Sequence, residues 1–462
     1  MTLNYRQLSF WHDSLPSPIK VRPSLNTDID ADVVIVGAGY TGLWTAYYLK
    51  KIDPSLDIVV LEAEIAGFGA SGRNGGWCSS HLSGIDRLLK DPSHKEGALR
   101  LKRLMFETVK EIGLVAERES FDCHYERSGA LEVAVLPVQL TRLQDEWKYL
   151  RDLGFGDEDY DWLDAKAVRE VINVDQALAA IRLHHCAAIH PARLARALAD
   201  GVESLGVRIF EHSPVQEFKG NVLITPRAKI RAETMLFTTE GYTAGLGGKG
   251  RRLIPVHSMM VATEVLSQAQ LDEIGFRQRC TFGNSDRIVT YGQVTSDKRI
   301  AFGCRGNYLF GSGVRHSFET ADQEFNLVRN TLLRFFPGLQ GIRFTHAWGG
   351  AMGVSRSLLP SINFDPDKRV GWAGGYFGSG VAATHLAGQT LADLVTGQES
   401  ERLATPWVNP PHADQNWEPE PLRWLGIRAA RLLMSVADRL DYRGGIFAPV
   451  LAKGLDLLRP DL

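Results

Sequence analysis

The chain has 462 residues, 44 % of them apolar, and a formal charge of −2, with a pI near 6.7. That length is ample for more than one domain, and the balanced charge gives no footing for a bulk nucleic-acid or anionic-membrane partner. No apolar run approaches the roughly 20 residues that span a bilayer. Five cysteines, Cys78, Cys123, Cys186, Cys280 and Cys304, are widely spaced and odd in number. No pair has metal-ligand spacing, so they read as buried thiols and no metal is expected. The N-terminus lacks a basic start followed by an apolar core, and a cytoplasmic location is the expectation.

Residues 1–30 are mixed and proline-punctuated, and read as an arm laid over the body. The stretch ADVVIVGAGYTGLWTAYYLKK, from Ala31, is then an apolar strand, a glycine turn and a helix, and DIVVLEA is a second buried strand. Strand, helix and strand in this spacing make a βαβ unit. Gly37, Gly39 and Gly42 form GxGxxG at its turn. The first glycine serves the tight turn, the second lets a pyrophosphate approach the backbone, and the third lets helix and strand pack closely. Phosphates then meet the unpaired N–H groups of the helix start. Glu62, at the end of the second strand, is placed to accept from an adenosine ribose hydroxyl. Together these predict a bound adenine dinucleotide, with the acid disfavouring a 2′-phosphate and hence NADP.

The next segment selects among dinucleotides. GASGRNGG, residues 69–76, is a long glycine loop where a plain NAD domain places a short crossover helix. Far along the chain, RVGWAGGYFGSGVAATHLAGQTLADLVTG repeats strand, glycine turn and helix from Arg369. Small residues at Ala382, Ala383, Ala387 and Gly388 suit close helix packing. Two glycine turns at helix starts fit one extended cofactor gripped at both ends.

With these blocks in order, the sequence resembles the D-amino-acid oxidase / glycine oxidase superfamily of FAD-dependent oxidoreductases, most of all its gamma-glutamylputrescine oxidoreductase branch. The resemblance covers about residues 31–400 and includes AAIHPARLARALADGVESLGVRIFEHSPVQEF and IPVHSMMVAT. It implies an α/β fold, an FAD-binding Rossmann-like domain with a second, mixed α+β substrate domain inserted discontinuously. The first would comprise residues 31–82, 188–250 and 341–403, the second 83–187 and 251–340, and 404–462 would be a C-terminal extension.

For the site, the resemblance implies that Ser71, Gly72, Arg73, Asn74, Gly75 and Gly76 run along the FAD, with Arg73 neutralising phosphate or pinning the loop to an acid. Val215 would lie near the adenine. The turn Gly378, Ser379, Gly380, Val381 would direct a helix N-terminus at the flavin. Trp77, His81, His257, Trp348 and Tyr376 are the candidates for the flavin's surroundings, each weighed against ordinary packing. Two departures stand out. Ala382 takes the place of the carboxylate-gripping lysine of the secondary-amino-acid oxidases. HAWGGAMG lacks the cysteine that carries covalent flavin there. Non-covalent FAD and a larger primary or secondary amine are therefore expected, oxidised to an imine by hydride transfer, with dioxygen as the acceptor. A dehydrogenase passing electrons to a quinone or carrier protein, and a non-catalytic flavin-binding regulator, are the alternatives.

In the extension, residues 421–441 place Leu422, Leu425, Ala429, Leu432, Leu433 and Val436 on one helical face. The expectation is a helix packed on its own domain, against the alternatives of a peripheral membrane or subunit contact.

Overall fold

A computed structural model describes residues 3–246 and 250–443. The apolar run before Gly37 is a strand, Ile29–Val36, whose last four residues are buried. It is flanked on both sides by parallel partners, Lys229–Phe237 and Ile58–Leu61. A strand covered on both faces has no wet side, which is why its sequence does not alternate. The helix Tyr40–Ile52 carries the chain between the first two strands. The sheet runs Ser361–Asp365, Val370–Gly374, Lys229–Phe237, Ile29–Val36, Ile58–Leu61, Arg208–Phe210. Only the first of these strands is antiparallel to its neighbour.

The helices Tyr40–Ile52, Lys95–Arg118, Pro191–Ser204 and Gly380–Thr396 share one core with a face of this sheet. The small residues at 382, 383, 387 and 388 are buried. A Cβ on Gly388 would come within 2.7 Å of Trp44 Cβ, so helix meets helix at backbone distance.

The second sheet is mostly antiparallel. It runs Phe344–Trp348, Leu253–Thr263, Ile300–Tyr308, Thr290–Val294, Thr281–Asn284, Ala130–Ala134, Ala179–Leu183, Tyr160–Asp164, with Ala351–Ser355 also on Leu253–Thr263. Phe282, Phe302, Phe335 and Phe336 centre its core. The two-sheet α/β plus α+β arrangement matches the sequence reading, and the segmentation differs in two places. Phe344–Trp348 and Ala351–Ser355 belong to the second sheet, past the expected boundary at 340. Helix Lys95–Arg118 packs into the first core instead of the second, because Leu101, Met105, Val109 and Ile112 form a stripe against Gly380–Thr396.

The N-terminal arm is anchored by Phe10 and Trp11, which are buried beside Trp348. All five cysteines are buried free thiols. The C-terminal helix spans Leu422–Arg443 and packs on its own domain as expected, but through Trp424, Ile427 and Met434 instead of the leucine stripe. Its buried residues are Arg423, Ala437 and Asp438, and its leucine stripe faces outward. Ion pairs help to hold this orientation. Arg287 reaches both Asp438 and Asp441, and Arg142 also pairs with Asp441.

Candidate active site

A cavity of about 870 Å³ lies between the two sheets and takes its walls from both. It opens over the carboxyl ends of the parallel strands, at Val36, Gly37, Leu61, Glu62, Thr238 and Thr239. This is where ligands sit in open α/β sheets. From there it passes Trp77, His81 and Tyr376, reaches Lys102 on helix Lys95–Arg118, and enters the second unit at Arg142, Glu146, Tyr160 and Asp286.

The first turn is built by contacts a side chain could not make. Gly37 has φ +107°, and a Cβ there would lie 2.9 Å from Thr238 O. A Cβ on Gly42 would lie 2.1 Å from Gly37 O, the close helix–strand approach that the motif predicts. Glu62 accepts from the N–H groups of Ala38 and Glu64 at 2.8 and 3.0 Å. Burial pushes its carboxyl up to about 7.

The loop 69–76 is fastened to its own side chains and to the arm. Ser71 Oγ accepts from Tyr40 N–H at 2.9 Å, inside the first turn of the helix. Asn74 donates to Ser71 O at 2.8 Å and accepts from Gly76 N–H at 2.8 Å. The indoles of Trp11 and Trp348 donate to the carbonyls of Asn74 and Arg73 at 2.8 and 2.9 Å. Arg73 departs from its expected role. It is fully buried outside the cavity wall and has no ion pair among the described residues. Its guanidinium lies over the Phe68 ring at 4.9 Å and donates to Tyr242 Oη at 2.8 Å. It pins the loop to a phenol and a ring, not to an acid, and it does not line the cavity for a phosphate.

The second turn has its own buried acid. Glu240 accepts from Gly375 and Tyr376 N–H at 2.8 and 3.3 Å, and burial raises its pKa to about 7. Tyr376 Oη accepts from Thr41 Oγ1 at 3.2 Å, which ties this turn to the first helix. Beyond it, Ser379 Oγ lies 3.2 Å from His81 Nδ1 and 3.3 Å from Ser83 Oγ. Burial, aided by the Arg305 charge, lowers His81 to about 4, so its imidazole is neutral at physiological pH. Arg305 Nη2 reaches Ser83 Oγ at 3.4 Å, its guanidinium lies 4.7 Å from the Phe377 ring centre, and its buried Nη1 has no partner among the described residues.

The cavity therefore gathers Gly37, Gly39, Glu62, Ser71, Asn74, Gly75, Val215, Gly378, Ser379, Gly380 and Val381 with Trp77, His81 and Tyr376. Gly42, Gly72, Arg73 and Gly76 stand behind it as packing positions. His257 and Trp348 are not in its wall. His257 Nε2 accepts from Arg315 N–H at 3.0 Å, and its Nδ1 faces Asn307 O at 3.4 Å. Both nitrogens are occupied by backbone, and burial holds its pKa near 4. Glu240, Tyr242, Tyr291 and Arg305 also line the cavity, and none belongs to the sequence motifs. Glu240 and Tyr242 follow a strand end, a position that signals a site in open α/β sheets. Tyr291 and Arg305 lie on second-sheet strands that carry no motif.

The family described as FAD dependent oxidoreductase matches residues 32–394. The chain belongs to this family and is an FAD-dependent oxidoreductase of the amine and amino-acid oxidase type. It is similar to the gamma-glutamylputrescine oxidoreductase of Escherichia coli, at 31 % identity over 84 % of this chain and 88 % of that one. It is also similar to a sarcosine oxidase beta subunit from Arthrobacter sp, at 24 % identity over 81 % and 89 %. Among solved structures, glycine oxidase from Geobacillus kaustophilus superposes with a TM-score of 0.67 at 20 % identity, covering 80 % of this chain and 96 % of that one.

The residues present fit FAD. Gly39, Gly378 and Gly380 present backbone to the cavity, and the closest atom to a Cβ on the last two would be 3.7 and 3.8 Å away. These are ordinary contact distances, so both glycines line the cavity without being crowded by protein. Glu62 stands at the strand end suited to a ribose hydroxyl, and the orphaned Arg305 Nη1 offers a donor near the second turn.

Proposed function

We propose that this protein oxidises an elongated primary or secondary amine with a charged or amide-bearing far end, using non-covalently held FAD and dioxygen. The observation that carries this reading is the continuation of the cavity past His81 and Tyr376 into a lobe lined by Asp86, Lys102, Arg142, Asp145, Glu146 and Asp286. Charges of both signs there suit an amino-acid-like head group. A compact amine such as glycine has no atom to reach them. The similarity to a gamma-glutamylputrescine oxidoreductase supports a capped diamine of this kind. None of the five cysteines lines the cavity, which supports a non-covalent cofactor.

FAD, when bound, accepts a hydride equivalent from the amine carbon and returns the electrons to dioxygen as peroxide. The chain's part is to bind, orient and keep the amine neutral. Gly37, Gly39 and Ser71 would hold the pyrophosphate side, and the Gly378–Gly380 turn the other end. Arg305 adds positive charge beside the second turn, and neutral His81 adds none. A nearby cation disfavours an ammonium, so a bound amine loses its proton more readily there. No nucleophile has to attack, and no side chain has to hold the amine's proton permanently.

Anaerobic flavin bleaching across an amine panel tests this. Capped diamines should bleach the flavin faster than glycine or sarcosine, and air should restore the colour with stoichiometric peroxide. Recovery only with a quinone would indicate a dehydrogenase. Flavin that no amine bleaches would indicate a regulator.

A further inference from the structure

We propose that the C-terminal helix Leu422–Arg443 seats the protein on an anionic lipid surface. The helix is about 33 Å long at 1.5 Å per residue. Its outward face carries Leu422, Leu425 and Leu432, which are 62, 53 and 64 % exposed, with Leu433 and Val436 between and beyond them. The patch continues onto the neighbouring loop through Phe310, 61 % exposed, whose ring contacts Trp424. That loop is held in place because Glu420 accepts from Tyr308 Oη and Gly311 N–H. A contiguous apolar stripe of this kind is uncommon on a surface meant only for water.

Charge selects the occupant. Asp438 and Asp441 are the only acids of the helix, and both turn inward to Arg287 and Arg142. What remains outward is positive: Arg428, Arg439 and Arg443 are exposed, and none pairs with a described carboxylate. At 100° per residue, Arg428 and Arg439 share one flank of the leucine stripe, where their heads can reach phosphate while the leucines enter the acyl boundary. The whole-chain charge of −2 hides this segregation. Two copies packed antiparallel on this face would bring both arginine flanks to the same side, so like charges would oppose pairing.

The probes are vesicles of phosphatidylcholine alone and vesicles with about one-third phosphatidylglycerol, sedimented with the FAD-loaded full-length protein. The protein should pellet with the anionic vesicles, less with the neutral ones, and be released by salt. A Leu425→Asp/Leu432→Asp double variant should partition at least about tenfold less, with an unchanged flavin spectrum. Arg428→Gln and Arg439→Gln should each cost roughly fivefold on anionic vesicles and little on neutral ones. No pelleting at low salt, or pelleting indifferent to the aspartates, would overturn the proposal. A wild-type dimer that the double variant turns into a monomer would assign the face to a second copy. Cross-linking of a Leu432→Cys thiol to residues 446–458 of the same chain would assign it to the protein's own end.

Discussion

The loop 69–76 and the second turn use glycine for different reasons. In the first loop the missing side chains make room for protein. A Cβ on Gly72 would lie 2.2 Å from Gly67 O, and one on Gly76 would lie 1.9 Å from Gln293 Nε2 and 2.6 Å from Ile189 O. Gln293 fills that space because its amide donates to the carbonyls of Gly75, Gly76 and Ile189. In the second turn no protein atom crowds Gly380, where a Cβ would meet nothing nearer than Tyr376 Cβ at 3.8 Å. Gly72 and Gly76 are therefore architectural and Gly380 ligand-facing, while Gly75 of the same loop lines the cavity and Gly378 of the same turn is set by its φ of +95°. A glycine-rich string alone does not distinguish them.

The largest effect should follow Gly76→Ala. Its φ of +74° and its backbone neighbours together should cost about 3 to 4 kcal/mol, read as a fall in the thermal midpoint at saturating FAD. A normal midpoint would erase the contrast. Next comes Gly39→Val. A Cβ there would lie 3.1 Å from Ser71 Oγ, and the added methyls would enter the phosphate path. FAD affinity should fall about 100-fold while the circular dichroism of the protein stays folded. Unchanged affinity would place the cofactor elsewhere.

Sequence alone was informative where chemistry is local. Gly37, Gly39, Gly42 and Glu62 lie within one βαβ unit, and spacing carries their roles. Glu240 supports a turn that begins 135 residues later, so no local pattern links them. Trp348 and His257 were reasonable candidates because aromatics and histidines favour active sites. The fold instead spends the first on Arg73 O and the second on Arg315 N–H. The helical period correctly found the leucine face of residues 421–441 but could not say which way it turns. That depends in part on Arg142 and Arg287, some 150 to 300 residues away.

Those arginines give the third prediction, which compares the motif-bearing wall of the cavity with its motif-free wall. Asp438 accepts from the N–H groups of Arg287 and Ile288 at 3.0 Å each, directly after the lining residue Asp286. Asp438→Asn keeps one acceptor and loses the charge, and should cost about 2 kcal/mol. Because it loosens only the distal lobe, KM for a long amine should rise while FAD affinity holds. Equal damage to both would mean that the two walls are not separable.

The fourth concerns the acids beneath the turns. Glu240 carries its proton up to about pH 7 in the folded chain, against 4.5 when unperturbed. The stabilisation from that proton is full below 4.5 and is lost as pH rises through 7. Glu240→Gln has no such loss, so its stability relative to wild type should improve across that window, on the order of 1 to 2 kcal/mol. Thermal midpoints at pH 5 and pH 8 measure it. A gap that does not move with pH would mean the carboxyl is ionised throughout.

The smallest effect is the most discriminating, because its sign differs from that of Gly76→Ala. Gly380 begins the helix Gly380–Thr396, has no positive φ, and would place an alanine Cβ at ordinary contact distance from Tyr376. Alanine is a better helix former than glycine by up to about 1 kcal/mol, less at a helix start. The chain without added FAD should therefore be as stable as wild type or slightly more so. The same methyl would project toward the space that FAD needs at this end, so flavin affinity should fall, by about tenfold or less. Differential scanning fluorimetry over an FAD titration reads both quantities in one experiment: the FAD-free midpoint gives the fold, and its concentration dependence gives the affinity. A lower FAD-free midpoint would show that Gly380 is architectural like Gly76. An unchanged titration would show that the second turn does not touch the cofactor.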